Sequence, residues 1–273
     1  MVDGGTPDVL FGADLNRNGV VDADETAATQ VMSGINGQTG CGVCKYLTVY
    51  GAIPNAAMDG TQRLYVGDTS RQTMTALATF LITRLSGANT ASIISQLQSK
   101  PPPRNVLDFY QKSGMSIANF TLISDYITTV QGRLLRGLVN INTAPREVLL
   151  CLPGLTSSDA DLIVATRSSN NPNLNNIAWV AQALTPAKAA RIGGLITTRS
   201  YQYSADIVAV GENGRDFQRF KYVFDLRTSP PSIVYRKDLT YLGWPLSKDL
   251  LQSLSSGTAD KQTIQNMPTL GQH

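Results

Sequence analysis

Gly137-Leu-Val-Asn-Ile-Asn-Thr-Ala-Pro-Arg-Glu-Val-Leu-Leu-Cys-Leu-Pro-Gly-Leu-Thr156 is the stretch on which the reading of the fold turns. Thr143 is placed to cap a short helix, with Pro145 in its first turn and Glu147 near its positive end. Leu152-Pro153-Gly154 stops that helix. Thr156 to Asp159 then forms a capping-box start for a second helix, which carries Ala160, Ile163 and Val164 on one face and ends near Arg167. The expectation is two short helices joined at a Pro-Gly hairpin. Leu184-Thr185-Pro186 with Ala189 and Ile192 repeats the spacing of Leu155-Thr156 with Ala160 and Ile163, a weaker echo of the same unit.

Upstream, Met74, Leu77, Ala78, Leu81 and Leu85 recur at helical spacing behind Thr69 or Ser70 as cap, so a core-facing helix is predicted from Asp68 to about Leu85. Gly87–Thr90 breaks it and Ala91–Leu97 restarts it. Pro101-Pro102-Pro103 is a rigid connector, and a further helix is expected over Ile117–Val130. Downstream, Tyr201–Val210 is rich in β-formers, 211–214 supplies turn chemistry, and Phe217–Phe224 alternates apolar with polar, which makes a hairpin. Ile233–Arg236, entered through Pro230-Pro231, reads as a third strand. Lys45–Tyr50 is a short strand candidate by its β-branched and aromatic content. The expected organisation is an N-terminal region (1–62), a helical insertion (63–200), an antiparallel sheet (201–245) and a C-terminal tail (246–273), an α+β protein with helical subdomains and a small antiparallel sheet.

Residues 14–25 fit the calcium-loop pattern D-x-[DN]-x-[DN]-G-x5-E without a mismatch. A hard cation takes six to eight oxygens. Asp14, Asn16 and Asn18 can converge on it with the Val20 carbonyl, Asp22 acts directly or through water, and Glu25 closes the site with both oxygens. Gly19 permits the sharp turn. A polar Asp/Asn/Gly turn that binds nothing is the plainer alternative, and the five matched positions favour Ca²⁺. The Gly- and Pro-rich stretch from Gly4 to Gly12 is unsuited to the entering helix of a paired EF-hand. A single structural loop is therefore expected, with two Asn ligands that place it toward the weak, extracellular end of the affinity range.

Composition narrows the chemistry. The sequence has 273 residues, 42% of them hydrophobic, and a net charge of +3. The only histidine is His273, which removes His-based hydrolysis, acid–base catalysis and His-rich zinc sites. With no nucleophile–base pair and no phosphate cradle visible, no enzymatic activity is expected. Lys and Arg are scattered, so no basic tail marks nucleic acid or an anionic membrane. Cys41, Cys44 and Cys151 are too few to hold zinc without internal histidines. A local Cys41–Cys44 disulfide in an oxidising compartment is the expectation, with Cys151 a buried free thiol on the short apolar helix.

Read together, these segments resemble protein K of the type II secretion system, a family of minor pseudopilins. Leu138-Val-Asn-Ile-Asn-Thr-Ala-Pro-Arg-Glu-Val-Leu-Leu-Cys-Leu-Pro-Gly154 is similar to the family's stretch with an Asn-x-Asn-Thr-Ala start and a Leu-Pro-Gly end. The Asp14–Glu25 loop, Tyr46–Tyr50, Asp125–Thr129 and Thr198–Ser200 leading into the strands support it. Arg63–Gly67 sits where an earlier copy of the Asn-containing element belongs but lacks the Asn residues. The resemblance implies helix-hairpin-helix (SAM-like) subdomains inserted in a pilin-like body, and a place at the tip of the pseudopilus beside other minor pseudopilins. It also implies a location at the periplasmic face of the inner membrane, with the membrane held only through a helix upstream of residue 1. The rival is a helix-hairpin-helix DNA-binding protein of the competence-receptor type, which shares the signature. That hairpin aims backbone N–H groups at phosphate and benefits from basic neighbours. Here Asp159 puts an acid where phosphate would approach, so nucleic acid is not expected.

Overall fold

The computed structural model describes residues 7–18, 21, 25, 40–85, 90–169, 174–211, 216–245, 252–253 and 256. Its helices in chain order are α1 (Pro7–Phe11), α2 (Arg71–Arg84), α3 (Thr90–Gln98), α4 (Val106–Ser113), α5 (Ile117–Ile123), α6 (Arg146–Leu150), α7 (Ser157–Ser168), α8 (Ala178–Ala183) and α9 (Pro186–Ile192). The strands are β1 (Ala52–Pro54), β2 (Leu64–Tyr65), β3 (Ile127–Thr128), β4 (Leu134–Arg136), β5 (Val139–Asn140), β6 (Ile196–Thr197), β7 (Gln202–Val210), β8 (Phe217–Asp225) and β9 (Ser232–Asp238). The class is α+β. Two compact units divide the chain: an insertion unit, 51–201, and a sheet unit made of 1–50 with 202–273. Residues 51–62, grouped by sequence with the N-terminal region, belong to the insertion unit, where β1 pairs antiparallel with β4.

The insertion unit is an internal duplication. In the first copy β2 leads through α2 to α5 into β3, and β2 and β3 pair in parallel with Leu64 opposite Ile127. In the second, β5 leads through α6 to α9 into β6, with Val139 opposite Ile196. The flanking backbone bonds match as well: Leu64 N–H to Tyr126 O and Val66 N–H to Thr128 O in one copy, Val139 N–H to Leu195 O and Ile141 N–H to Thr197 O in the other, all within 2.8–2.9 Å. Arg63–Gly67 is thus the structural counterpart of Leu138–Asn142, without its asparagines.

The spacing read at Leu155-Thr156 recurs at the α8–α9 and α4–α5 hairpins. Leu155-Thr156 with Ala160 and Ile163, Leu184-Thr185 with Ala189 and Ile192, and Met115-Ser116 with Phe120 and Ile123 each place an apolar residue before the helix N-cap and two buried residues inside the helix. The cap residue frees the helix from the preceding turn, and the apolar positions fall on one face. The echo noted in the sequence is therefore a true repeat of the hairpin, with a third instance at α4–α5. One apolar core runs through both copies, including Leu77, Phe109, Leu149, Trp179 and Ile192. Asn105 joins the copies: its Oδ1 accepts the Asp108 N–H (2.9 Å), capping α4, and its Nδ2 donates to Ala190 O (2.7 Å) on α9.

Several local expectations change. The helix expected over Ile117–Val130 ends at Ile123, because Ile127 and Thr128 are claimed by β2 as a strand. α6 starts at Arg146 with Pro145, not Thr143, at its N-cap. α4 was not anticipated, although Asn105 before it and Gly114 after it, in left-handed conformation at φ +63, are its start and stop signals. Lys45–Tyr50 is not a strand. A 3₁₀ turn spans Val43–Tyr46. Cys41 and Cys44 are free thiols, not a disulfide, and Cys151 is exposed, not buried. It leaves α6 at the C-cap, with its thiol donating to Glu147 O.

In the sheet unit β7, β8 and β9 form an antiparallel sheet in that order, as the sequence pattern predicts. A bulge at Val223/Phe224 fixes the β8–β9 register. Strand alternation sorts the side chains onto two faces of opposite character. One carries Asp206, Arg219, Lys221 and Asp225 among Val208, Val210, Phe217 and Val223, and its centre is covered: Arg219, Val223 and Asp225 are buried. Arg219 forks onto Asp206 through Nε (3.1 Å) and Nη2 (2.8 Å). Tyr50 stacks at a tilt against Tyr235 on this side. The other face carries Tyr203, Ala205 and Ile207 opposite Phe224, Tyr222 and Phe220. Rings at Phe220, Tyr222 and Phe224 contact one another along β8, and the Arg236 guanidinium lies 4.7 Å over Phe220. This aromatic face is the open one, with Tyr203 52%, Ile207 46% and Ile233 57% exposed.

Candidate functional site

The start of the calcium-type loop is folded tightly. Arg17 adopts φ +57, a left-handed conformation uncommon outside glycine, and its guanidinium stacks over Phe11. That turn brings the Asn18 N–H within 3.0 Å of both Asp14 Oδ1 and Asn16 Oδ1. The end of the loop is drawn back to its beginning, because Asn16 N–H donates to Glu25 Oε1 at 2.8 Å. Asp14, Asn18 and Glu25 are all buried.

Lys221 on β8 donates to the Asn18 carbonyl at 2.8 Å, which fastens the loop to the covered face of the sheet. A strand lysine so far along the chain gave no sequence signal of this role. Behind the loop, Ala13 N–H donates to Gly40 O at 3.0 Å. A side chain at Gly12 would collide with the Gly40 carbonyl, so the backbones meet there because Gly12 has no Cβ. Burial pushes the Cys41 thiol up, and the Asp14 carboxylate adds to the shift. Its thiolate state is thereby disfavoured, which suits a structural rather than a reactive cysteine.

Of the six predicted ligands, Asp14, Asn16, Asn18 and Glu25 are gathered in one small region. Val20 and Asp22 lie outside the described residues. No three His, Cys, Asp or Glu side chains converge among the described residues, and the acids seen in the loop are Asp14 and Glu25. The donor set is nevertheless all oxygen. A carboxylate oxygen that accepts one N–H keeps a second lone pair, so the bonds that shape the loop leave it able to ligate. Two carboxylates buried within one short loop, with amide oxygens between them, fit a hard divalent cation and not a thiolate- or imidazole-preferring one.

The Leu152–Asp159 segment joins α6 to α7. Gly154 takes φ +83 and reverses the chain. Thr156 and Asp159 form the reciprocal capping box, with Thr156 N–H donating to Asp159 Oδ2 at 2.8 Å and Asp159 N–H to Thr156 Oγ1 at 3.3 Å. Lys188 on α9 also reaches Asp159 Oδ2, at 2.5 Å. The Lys188 hydrogen bond, followed by those from Thr156, lowers the Asp159 carboxyl to about 2. Arg146 is tied to Asp161 and to the Ser157 hydroxyl. The Arg191 side chain lies beside Gly154, where a Cβ would approach its Cδ to 2.9 Å. Basic residues do surround the hairpin, which sequence spacing did not reveal. The N-terminus of α7, however, already has an internal anion in Asp159.

No protein-family profile, curated protein or solved structure matches the chain.

Proposed function

We propose that this protein is a non-enzymatic assembly subunit, a minor pseudopilin of the protein K type at the tip of the type II secretion pseudopilus, stabilised by one Ca²⁺ in the Asp14–Glu25 loop. The observation that carries the reading is the inverted sheet. The face with the Arg219–Asp206 pair is covered at its centre, while the sheet's more uniformly apolar, aromatic face is the more open one. A sheet normally buries its apolar side. Exposed Tyr203, Ile207 and Ile233, beside the half-buried rings of Phe220 and Tyr222, therefore make a docking surface, and an apolar helix is the element that fits a twisted aromatic sheet face. A pilin-type assembly supplies such helices. The calcium loop sits on the opposite face, anchored through Lys221, where a bound ion stiffens the support of that docking surface. Partners on this reading are other minor pseudopilins, and the setting is the calcium-rich periplasmic face of the inner membrane.

The test is co-purification with the other minor pseudopilins, using Ile207→Lys with Ile233→Lys. Both side chains are about half exposed, so the double variant should melt as the wild type does and lose the complex. A complex that survives this change would remove the sheet face from the assembly and the reading with it.

A further inference from the structure

Where the two copies of the insertion unit meet they enclose a cavity of about 210 Å³. Its walls are built from matched segments. Residues 115–129 and 184–198 align without a gap, so Ser124, Asp125, Ile127, Thr128 and Thr129 of the first copy face the same space as Gly193, Gly194, Ile196, Thr197 and Thr198 of the second. Two copies of one fold thus present the same strand ends to a shared centre. Two departures from that symmetry change the charge. Where the first copy has Arg63 and Asp125, the second has Leu138 and Gly194. One side of the cavity is therefore charged and the other uncharged, with Leu138, Ile177 and Ile196 as its apolar part, an arrangement that orients an amphipathic ligand.

The charges on the walls do not balance. Arg63, Arg104 and Asp125 are the charged residues that line the space. Asp125 is also held by a third guanidinium, that of Arg199, whose Nε is buried with no hydrogen-bond partner among the described residues. Arg63 uses Nε and Nη2 on Asp125, while Nη1 makes no hydrogen bond among the described residues. Arg104 spends its backbone groups on Asp108 and Thr129, and its exposed guanidinium makes no ion pair or hydrogen bond among the described residues. Two arginines beside one acid that is already paired favour an anion, and the planar fork of a guanidinium matches a carboxylate. The volume lies below the roughly 300 Å³ at which drug-sized ligand sites begin, so the ligand is small.

We propose that this cavity binds a carboxylate carried on a short apolar group, with the carboxylate at Arg104 and Arg63 and the apolar part against Leu138, Ile177 and Ile196. The same chemistry comes from two sources: a free short-chain acid, or the C-terminal residue of a polypeptide with an aliphatic side chain. Nothing in this depends on the sheet face or on calcium.

Amide chemical shifts of the full chain, titrated with hexanoate, with N-acetyl-Ala-Ala-Leu as free acid, and with its C-terminal amide, test the proposal. The acids should move the Gly193, Gly194 and Thr198 resonances and the amide should not. Tighter binding of the tripeptide acid assigns the site to a chain terminus, and tighter binding of hexanoate assigns it to a free acid. Arg104→Gln, at an exposed position, should weaken either by tenfold or more. Gly194→Asp restores the acid that the first copy carries, and its Cβ meets only ordinary contacts, so it should fold and block the acids. Equal binding of acid and amide, acid binding indifferent to both substitutions, or no shift at these residues at millimolar ligand would overturn the proposal.

Discussion

Asp125→Ala probes the joint on which the first copy of the insertion unit depends. The carboxylate accepts from Arg63 Nη2 at 2.7 Å, from Arg199 Nη2 at 2.5 Å and from the Met58 N–H at 2.8 Å. Removing it strands two guanidiniums whose side chains are each only 15% exposed. Breaking a buried pair from one side costs about 3–5 kcal/mol. Arg63 keeps its second bond, from Nε to the Asp125 carbonyl, so the lower end, about 3 kcal/mol, is expected. For a unit of this size each kcal/mol moves the midpoint by about 2–4 °C, which gives a loss of about 6–12 °C by scanning calorimetry at pH 7.

The pH dependence supplies an independent check. Burial raises the Asp125 carboxyl, but the hydrogen bonds from Arg199 and Arg63 outweigh it and leave the group below its ordinary value. A depressed folded pKa means that the stabilisation is fully present above the unfolded value near 4 and is lost as pH falls through the lower folded value. The gap between wild type and variant should therefore be widest at neutral pH and narrow in acid. A variant that melts within a degree of wild type at pH 7, or a gap that stays constant down to low pH, refutes the reasoning.

Calcium at 10 mM should raise the melting temperature over that in chelator by the linkage for a weak extracellular-type site, about 1.4–2.7 kcal/mol for a Kd of 10⁻³ to 10⁻⁴ M, and Glu25→Gln should abolish most of the difference; equal midpoints with and without calcium count against the metal. Gly193→Ala places a Cβ about 2.3 Å from Asn105 Oδ1, so it should destabilise the insertion unit by more than Gly194→Ala, whose Cβ finds nothing closer than 3.8 Å, and urea midpoints for the pair read this directly. Duplex DNA should show no salt-dependent affinity in fluorescence anisotropy, because the Thr156 N–H that would meet phosphate is already bonded to Asp159; binding that weakens steeply with salt and is lost in Lys188→Gln would favour the rival reading.

How legible this architecture was depends on the length of each element. The capped helix behind Ser70, the Thr156–Asp159 capping box and the β7–β8 hairpin were all readable, because each combines a local chemical signal with several periods of apolar spacing. β2, β3, β5 and β6 were not, because two residues have no period to detect and such strands exist only through pairing with a partner distant in sequence. The same effect cut short the helix expected through Val130. α4 could have been found from Asn105 and Gly114, its cap and its stop. Within the candidate metal site the clustering of Asp14, Asn16, Asn18 and Glu25 followed from spacing alone. The anchoring Lys221 did not, since nothing local relates a strand lysine to a loop near the other end of the chain.

The contact between Lys221 and Asn18 spans 203 residues, whereas the insertion unit is contiguous. Closing so long a flexible loop costs about 5 kcal/mol of chain entropy on a logarithmic estimate. During synthesis, 51–201 can therefore collapse on its own while the N-terminal 50 residues wait for strands not yet made. Its folding turns most of the intervening chain from floppy tether into rigid spacer, so the order of assembly is set by the ribosome. The N-terminal loop then becomes the last part of the protein to mature, and a pulse-labelled chain should acquire protease resistance in 51–201 before its first fifty residues do.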